Sequence, residues 1–353
     1  MFNRSGDGGL PNQFNQGVLQ IAVLVHGWVE LDGRLLCPGE ISDIIRFRPA
    51  DISRFGGEFA LSWENCHARD CFGIMPGATA KGSVVCGGTI RTVIHPSPPH
   101  MTLEQAIVES VHLRSDEGVT ALSGGIDSAL VAHLAGLPCV AVGTKDSHDI
   151  KRAALAADAL GLACDLVTLT PGMIEEALIA VLGVIADKNP VDSSIAVAEY
   201  CITEWASAQG HRRVLTGQGA DELFGGYARY LVSPDLGADL ERDFLGLERQ
   251  AVRDQSVAAL HGAYFSLPYL DIRVVRAAQA IPADRKVHDG VRKWPLRSIA
   301  ERHIPREIAW HDKKAMQYGS GVHKTIADLA RQNGYKRSVQ GYINVISGRE
   351  HGE

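Results

Sequence analysis

Two short Gly-rich stretches hold the residues whose types and spacing suit chemistry: "SGGIDS" at 123–128 and "GQGADE" at 217–222. In the first, Gly124 and Gly125 permit a tight turn that brings bare backbone N–H groups close to an anion. A helix starting there adds its N-terminal partial positive charge. Ser123 and Ser128 add hydroxyl donors, so a phosphate or pyrophosphate suits the turn. Asp127 would repel that anion unless a cation came between them. An Mg²⁺ shared with the ligand is the natural partner, with Asp221 of the second stretch supplying another protein oxygen. No GxxxxGK[ST] sequence occurs in the chain, so the turn is not a Walker loop.

Elements on either side must carry both turns to one place. "GVTAL" precedes the first and "RRVLT" the second; "CVAVGT" and "CDLVTLT" are further strand candidates. Helical patterns lie between them over "DSALVAHLAG", "HDIKRAALAADALG", "GMIEEALIAVLGVIAD" and "SSIAVAEYCITEWASAQG", with Gly161 as a C-terminal cap. Apolar strands separated by helices predict an α/β domain, an open parallel sheet with helices on both faces. Such sheets bind ligands at the carboxyl ends of their strands. Upstream, "GVLQIAVLVHGWVEL" and "GSVVCGGTIRTVI" read as antiparallel strands. The prolines of "VIHPSPPHMTLEQ" end that pattern, and Thr102 with Gln105 forms a capping box for a helix. The expected division is a small, mainly β region over 1–100 and the α/β domain over 101–353, helical from about Ser233.

Composition narrows the classes. Of 353 residues, 45% are hydrophobic and 22% charged, as in an ordinary globular protein. The net charge of −6 argues against nucleic acid as the partner, since phosphate backbones demand clustered basic residues. The apolar runs are too short to span a membrane, and the polar N-terminus lacks the apolar core of a secretory signal. A cytoplasmic location is the expectation. The seven cysteines contain no CxxC pair, so neither a disulfide framework nor a zinc ribbon is expected.

The motifs also carry a resemblance. "SGGIDS" looks like the SGGxDS pyrophosphate loop of the ATP pyrophosphatase superfamily, and "TGQGADELFGGY" resembles the second signature of asparagine synthetases. "AVGTKDSHDIKRAALAADALG", "LPYLDIRVV", "KWPLR" and "IPREIAWHDKKAMQYGSGV" are similar to further segments of that family, so the likeness covers about 118–322. It implies an adenine nucleotide alpha hydrolase-like fold and an ATP-dependent ligase. A carboxylate, most simply the aspartate side chain, attacks the α-phosphate of ATP; pyrophosphate leaves, and ammonia amidates the acyl-adenylate. Leu122, Val142, Thr216 and Gly217 match positions around the nucleotide, Asp127 and Asp221 the Mg²⁺ ligands. Lys313, with Lys314 as substitute, matches the lysine that approaches the α-phosphate.

Two departures qualify what the resemblance implies. "GGEFALSWENCHARDCFGIMPG" is similar to the closing strands of the class II glutaminase domain, which needs a nucleophilic cysteine after the initiator methionine. Here position 2 is Phe and the first cysteine is Cys37. The region therefore reads as an inactive relic, with ammonia coming free or from a separate supplying protein. Gln218 stands where asparagine-forming members have glutamate. An amide keeps the shape but cannot accept a proton, so Gln218→Glu would be expected to raise asparagine formation. The alternatives are a ligase for another carboxylate or amine, and a non-catalytic nucleotide-binding protein acting through a partner.

Overall fold

The computed structural model describes residues 22–311 and 319–349. Alternating residues form β1 (Leu24–Leu31), which turns through Asp32 and Gly33, both at positive φ, into β2 (Arg34–Leu35). A helix then intervenes, α1 (Pro38–Phe47), where the spacing suggested strands alone. Its start is set locally: Pro38 opens the first turn and Glu40 Oε2 accepts from the Cys37 N–H at 2.9 Å. Strands β3 (Gly56–Trp63), β4 (Cys66–Arg69), β5 (Ser83–Cys86) and β6 (Thr89–Val93) complete an antiparallel sheet of order β2-β1-β3-β4-β5-β6. Its buried face packs Phe55, Phe59 and Leu61 against Ile41 and Ile44 of α1. Cys66 and Cys86, register partners across β4 and β5, form a disulfide. The scattered cysteines give no hint of this bridge, because strand register rather than sequence spacing brings the two together.

The capping box appears as expected at α2 (Leu103–His112), with the Gln105 N–H donating to Thr102 Oγ1 and the Thr102 N–H to Gln105 Oε1. Beyond it strand and helix alternate: β7 (Val119–Ala121), α3 (Ile126–Ala135), β8 (Cys139–Thr144), α4 (His148–Leu160), β9 (Cys164–Leu169), α5 (Pro171–Leu182), α6 (Pro190–Ala208) and β10 (Arg213–Leu215). Gly161 ends α4 at φ 64°, as its position predicts. Then follow α7 (Ala220–Phe224), α8 (Leu236–Leu245) and α9 (Leu247–Ala259). The stretch after Ser233 is not wholly helical, because β11 (Tyr264–Ser266) adds a parallel strand beside β10. Three residues between Gly262 and Pro268 are too few to show a period. Gln255 of α9 pairs with the outer edge of β11, donating to the Phe265 carbonyl at 2.7 Å and accepting its N–H at 3.0 Å. The sheet order is β11-β10-β7-β8-β9, all parallel. Its strand sequence reverses at β7 and β10, whose carboxyl ends carry the two Gly-rich turns. Helix α10 (Ile272–Gln279) and shorter helices follow. Among the described residues no helix is long and apolar enough to cross a membrane.

A buried charge network fastens the first sheet to the second. Glu58 of β3, fully buried, accepts from Arg114 Nε at 2.9 Å, Trp28 Nε1 at 3.0 Å, the Leu267 N–H at 2.7 Å and Ser266 Oγ at 2.5 Å. Arg114 also reaches Asp271, which caps α10 and pairs with Arg273, itself bonded to Glu30 of β1. Burial works against the Asp271 carboxylate, but Arg114 and Arg273 outweigh it and hold it below the usual range. Every carboxylate named here has at least one arginine partner, the condition under which buried ions are tolerated. Removing one member strands the rest. Glu58→Ala is expected to cost about 3–5 kcal/mol of unfolding free energy in urea titrations; a loss within experimental error would show that the network does not fasten the sheets.

Candidate functional site

Close backbone packing sets the two turns. Gly124 sits at φ 72°, and a Cβ there would lie 2.4 Å from the Arg152 carbonyl carbon of α4. Gly217 meets the other turn: its Cβ would lie 2.7 Å from Asp127 Cβ and 2.8 Å from the Ser128 nitrogen. Glycine is thus required wherever the second stretch crosses the first turn of α3. Gly125 caps α3. Ser123 and Ser128 hydroxyls lie 3.0 Å apart, and Ser128 Oγ also accepts the Ser123 N–H at 3.1 Å, so these side chains hold the turn closed on itself. Tyr269, from the "LPYLD" segment, donates to the Asp127 carbonyl at 3.1 Å.

Between the two expected metal ligands lies an ammonium group. Lys293 Nζ is 2.7 Å from both Asp127 carboxylate oxygens and 2.6 Å from Asp221 Oδ1. The motif chemistry called for a cation beside Asp127, and one is supplied from 166 residues along the chain. Gly226 of "FGGY" makes room, since a Cβ there would fall 1.8 Å from Asp221 Oδ1 and 2.2 Å from Lys293 Cε. Lys293 itself takes a left-handed backbone at φ 58°, an unfavourable conformation for a side chain of this size. Burial alone would push its ammonium down, but Asp127 and Asp221 outweigh that and hold it above the usual lysine range. Two carboxylates are hard oxygen donors suited to Mg²⁺. Among the described residues no group of three or more His, Cys, Asp or Glu side chains could hold a metal. An Mg²⁺ held by Asp127 and Asp221 would have to take its remaining ligands from phosphate and water.

A cavity of about 770 Å³ opens here, within the range of nucleotide-sized pockets. Leu122, Ser123, Asp127, Ser128, Val142, Thr216, Gly217, Gln218 and Asp221 line it together, while Gly124 and Gly125 shape the turn behind. Val140, Ala141 and Phe265 add apolar wall, and Arg229, Arg253, Arg292, Lys293 and Arg297 add positive charge. Asp127, Asp149, Asp192, Glu199 and Asp221 stand among these cations, so an apolar slot adjoins a surface carrying charges of both signs. Lys313 and Lys314 lie outside the described residues.

Gln218 sits in a different setting from the one its neighbours in sequence suggest. Its Nε2 donates to Glu199 Oε1 at 3.0 Å and to Asp254 Oδ2 at 2.8 Å, and its Oε1 accepts from Thr216 Oγ1 at 3.1 Å. Burial raises both acids, Glu199 far above the carboxylate range and Asp254 despite Arg253 beside it. Neither acid was singled out from sequence. The signal was there: Glu199 interrupts the buried series Ala196, Ile202, Ala206 on α6, and Asp254 falls between Ala251 and Ala258 on α9. These surroundings reverse the expectation for Gln218→Glu. The change removes two N–H donors and adds a third carboxyl group to an acidic cluster. It is expected to lower stability by about 2 kcal/mol and to reduce amide formation. Denaturant titration beside a product assay checks both, and a gain in product would reinstate the original expectation.

The model of the asparagine synthase family matches residues 102–253 and 246–345. A putative glutamine-hydrolysing asparagine synthetase 1 of Methanocaldococcus jannaschii is 31% identical over 268 residues, covering 64% of this chain and 50% of the relative. Asparagine synthetase B of Escherichia coli is 29% identical over 264 residues, covering 65% and 47%. The carboxyethyl-arginine beta-lactam-synthase of Streptomyces clavuligerus is 29% identical over 242 residues, covering 66% and 46%. The chain thus spans about half the length of the curated relatives it matches. With the family model matched along most of its length, from the helix before the first Gly-rich turn almost to the C-terminus, this chain belongs to the asparagine synthase family.

Proposed function

We propose that the chain is an ATP-dependent carbon–nitrogen ligase. It activates a carboxylate as an acyl-adenylate, releases pyrophosphate, and forms an amide with ammonia or another amine. The observation that carries this reading is the contact of Gly217 with the start of α3, which puts both motif turns on one cavity lined by apolar and charged side chains. In this reading the adenine lies against Leu122 and Val142, and the phosphates lie at the 123–128 turn. Asp127 and Asp221 would hold Mg²⁺; when bound, that ion offsets pyrophosphate charge. Lys293 keeps the two carboxylates from repelling each other and the phosphates. Lys313 is assigned to the α-phosphate. The work of the site is positional and electrostatic, holding two anions in contact.

Aspartate with ammonia is the simplest substrate pair. A different carboxylate or amine is the second reading, supported by Gln218 in place of glutamate and by the likeness to the carboxyethyl-arginine beta-lactam-synthase. The N-terminal sheet is assigned a supporting role, in keeping with the Glu58 network, and no glutamine hydrolysis.

Exchange of labelled pyrophosphate into ATP, with Mg²⁺ and a panel of carboxylic amino acids, tests the adenylating step. Exchange dependent on one carboxylate is expected; none with any member of a broad panel would overturn the ligase reading. Asp127→Asn and Asp221→Asn are each expected to lower exchange by about a hundredfold or more with an unchanged circular dichroism spectrum. Near-normal exchange in both variants would remove these carboxylates from the site.

A further inference from the structure

Gln218 joins two buried carboxylates that adenylation does not use. Glu199 lines the cavity and is 1% exposed. Its Oε1 takes one N–H of Gln218 and its carboxyl group also stands at hydrogen-bond distance of the Asp254 carboxyl, while Oε2 is buried with no other donor on it among the described residues. Asp254 takes the other N–H and engages Arg253, whose Nε and Nη2 lie 2.7 and 2.6 Å from Asp254 Oδ1. The remaining Arg253 nitrogen turns to Asp192. Arg253 thus serves Asp254 and Asp192, Gln218 bridges Glu199 and Asp254, and the Asn189 amide donates to Asp192. Asp192, Glu199, Gln218 and Arg253 all line the cavity, where three carboxyl groups stand around a single guanidinium.

We propose that Glu199 is the base of the amide-forming step, its Oε2 receiving a proton from a primary ammonium nucleophile that enters the cavity beside Gln218. This assignment rests on the adenylating-ligase reading. The entering cation, from ammonia or from an organic amine, supplies the missing charge and holds Glu199 ionised. The carboxylate then takes one proton, and the lone pair so freed attacks the carbonyl carbon of the activated carboxylate. The carbon–nitrogen bond forms, the bond from that carbon to the AMP oxygen breaks, and AMP leaves with the electron pair. The second proton shed by nitrogen goes to solvent. Burial and then Asp254 push Glu199 well above the usual carboxylate range, which brings its proton affinity closer to that of the amine. Gln218 cannot take the proton itself, because both its N–H groups point at the acids and its oxygen is held by Thr216. Its part is to orient Glu199.

The same carboxylate contact would also suit an ammonium group on the carboxylate substrate, and the half-reactions separate the two. Glu199→Gln keeps an acceptor for the Gln218 N–H, and Glu199→Asp keeps the charge. With the full chain, pyrophosphate exchange and amide product are measured in parallel, using ammonium and then a set of primary amines as nucleophile. Glu199→Gln is expected to lower amide formation by about a hundredfold or more while exchange falls far less, and Glu199→Asp to recover part of the product. Loss of exchange with a raised KM for the carboxylate would overturn the assignment in favour of substrate recognition. Undiminished amide formation would overturn it outright. Failure of the ligase reading gives a distinct result, the absence of exchange in the unmodified protein.

Discussion

The arrangement of the site depends on one ammonium group held between two carboxylates. Lys293 Nζ contacts Asp127 at the start of α3 and Asp221 at the start of α7, and Gly226 leaves the space through which it arrives. Three segments distant in sequence are thereby set at hydrogen-bond distance. A buried ion pair contributes little net stability once desolvation is counted, but removing one partner is costly. Its value here is geometric. Without the ammonium, two carboxylates would stand close together with nothing between them, and their repulsion would work against the contact of the turns. With it, the two carboxylates and the ammonium keep one net negative charge on a rigid footing.

The same chain uses arginine where it needs fastening and lysine where it needs a point charge. Arg114 serves Glu58 through Nε and both Asp271 and the Ser110 carbonyl through Nη1, and its face lies 4.7 Å from the centroid of the Trp28 ring. Such multiple engagement fixes orientation as well as distance. It ties β1 and β3 to the end of β11, and β11 pairs with β10, the strand that feeds Gln218. The first sheet thus bears on the edge of the second close to the cavity. The fold and the site are mechanically continuous through β10.

What could be read from sequence follows the range over which its signals act. The turns at 123–128 and 217–222, the strands before them and the helix starts at Thr102 and Gly125 are local matters of glycine, period and capping, and they stand where expected. The contact between the two turns was inferable because parallel strands gather their carboxyl ends. Strand β11 escaped notice because three residues carry no period and its partner on the outer edge is a side chain, Gln255. Lys293 was visible as part of "KWPLR", but its place between Asp127 and Asp221 depends on a tertiary approach that no spacing encodes. Glu199 and Asp254 were hidden for the opposite reason: each looks like an ordinary helix acid until the buried face of its helix is laid out.

Position 218 shows why a single substitution cannot be judged against a motif alone. Seen in the motif, glutamine is a glutamate that has lost its charge and its ability to take a proton. Seen in the fold, it is the group that allows two acids to stand side by side. An amide has donors on one arm and an acceptor on the other, and here both arms are used: two N–H groups toward Glu199 and Asp254, the oxygen toward Thr216. A carboxylate would satisfy only Thr216. Beside Gln218 stands Glu199, which burial and then a neighbouring acid push well above the usual carboxylate range. Gln218, Glu199 and Asp254 are for this reason one choice rather than three, and the motif position is legible only together with the two helices that close over it.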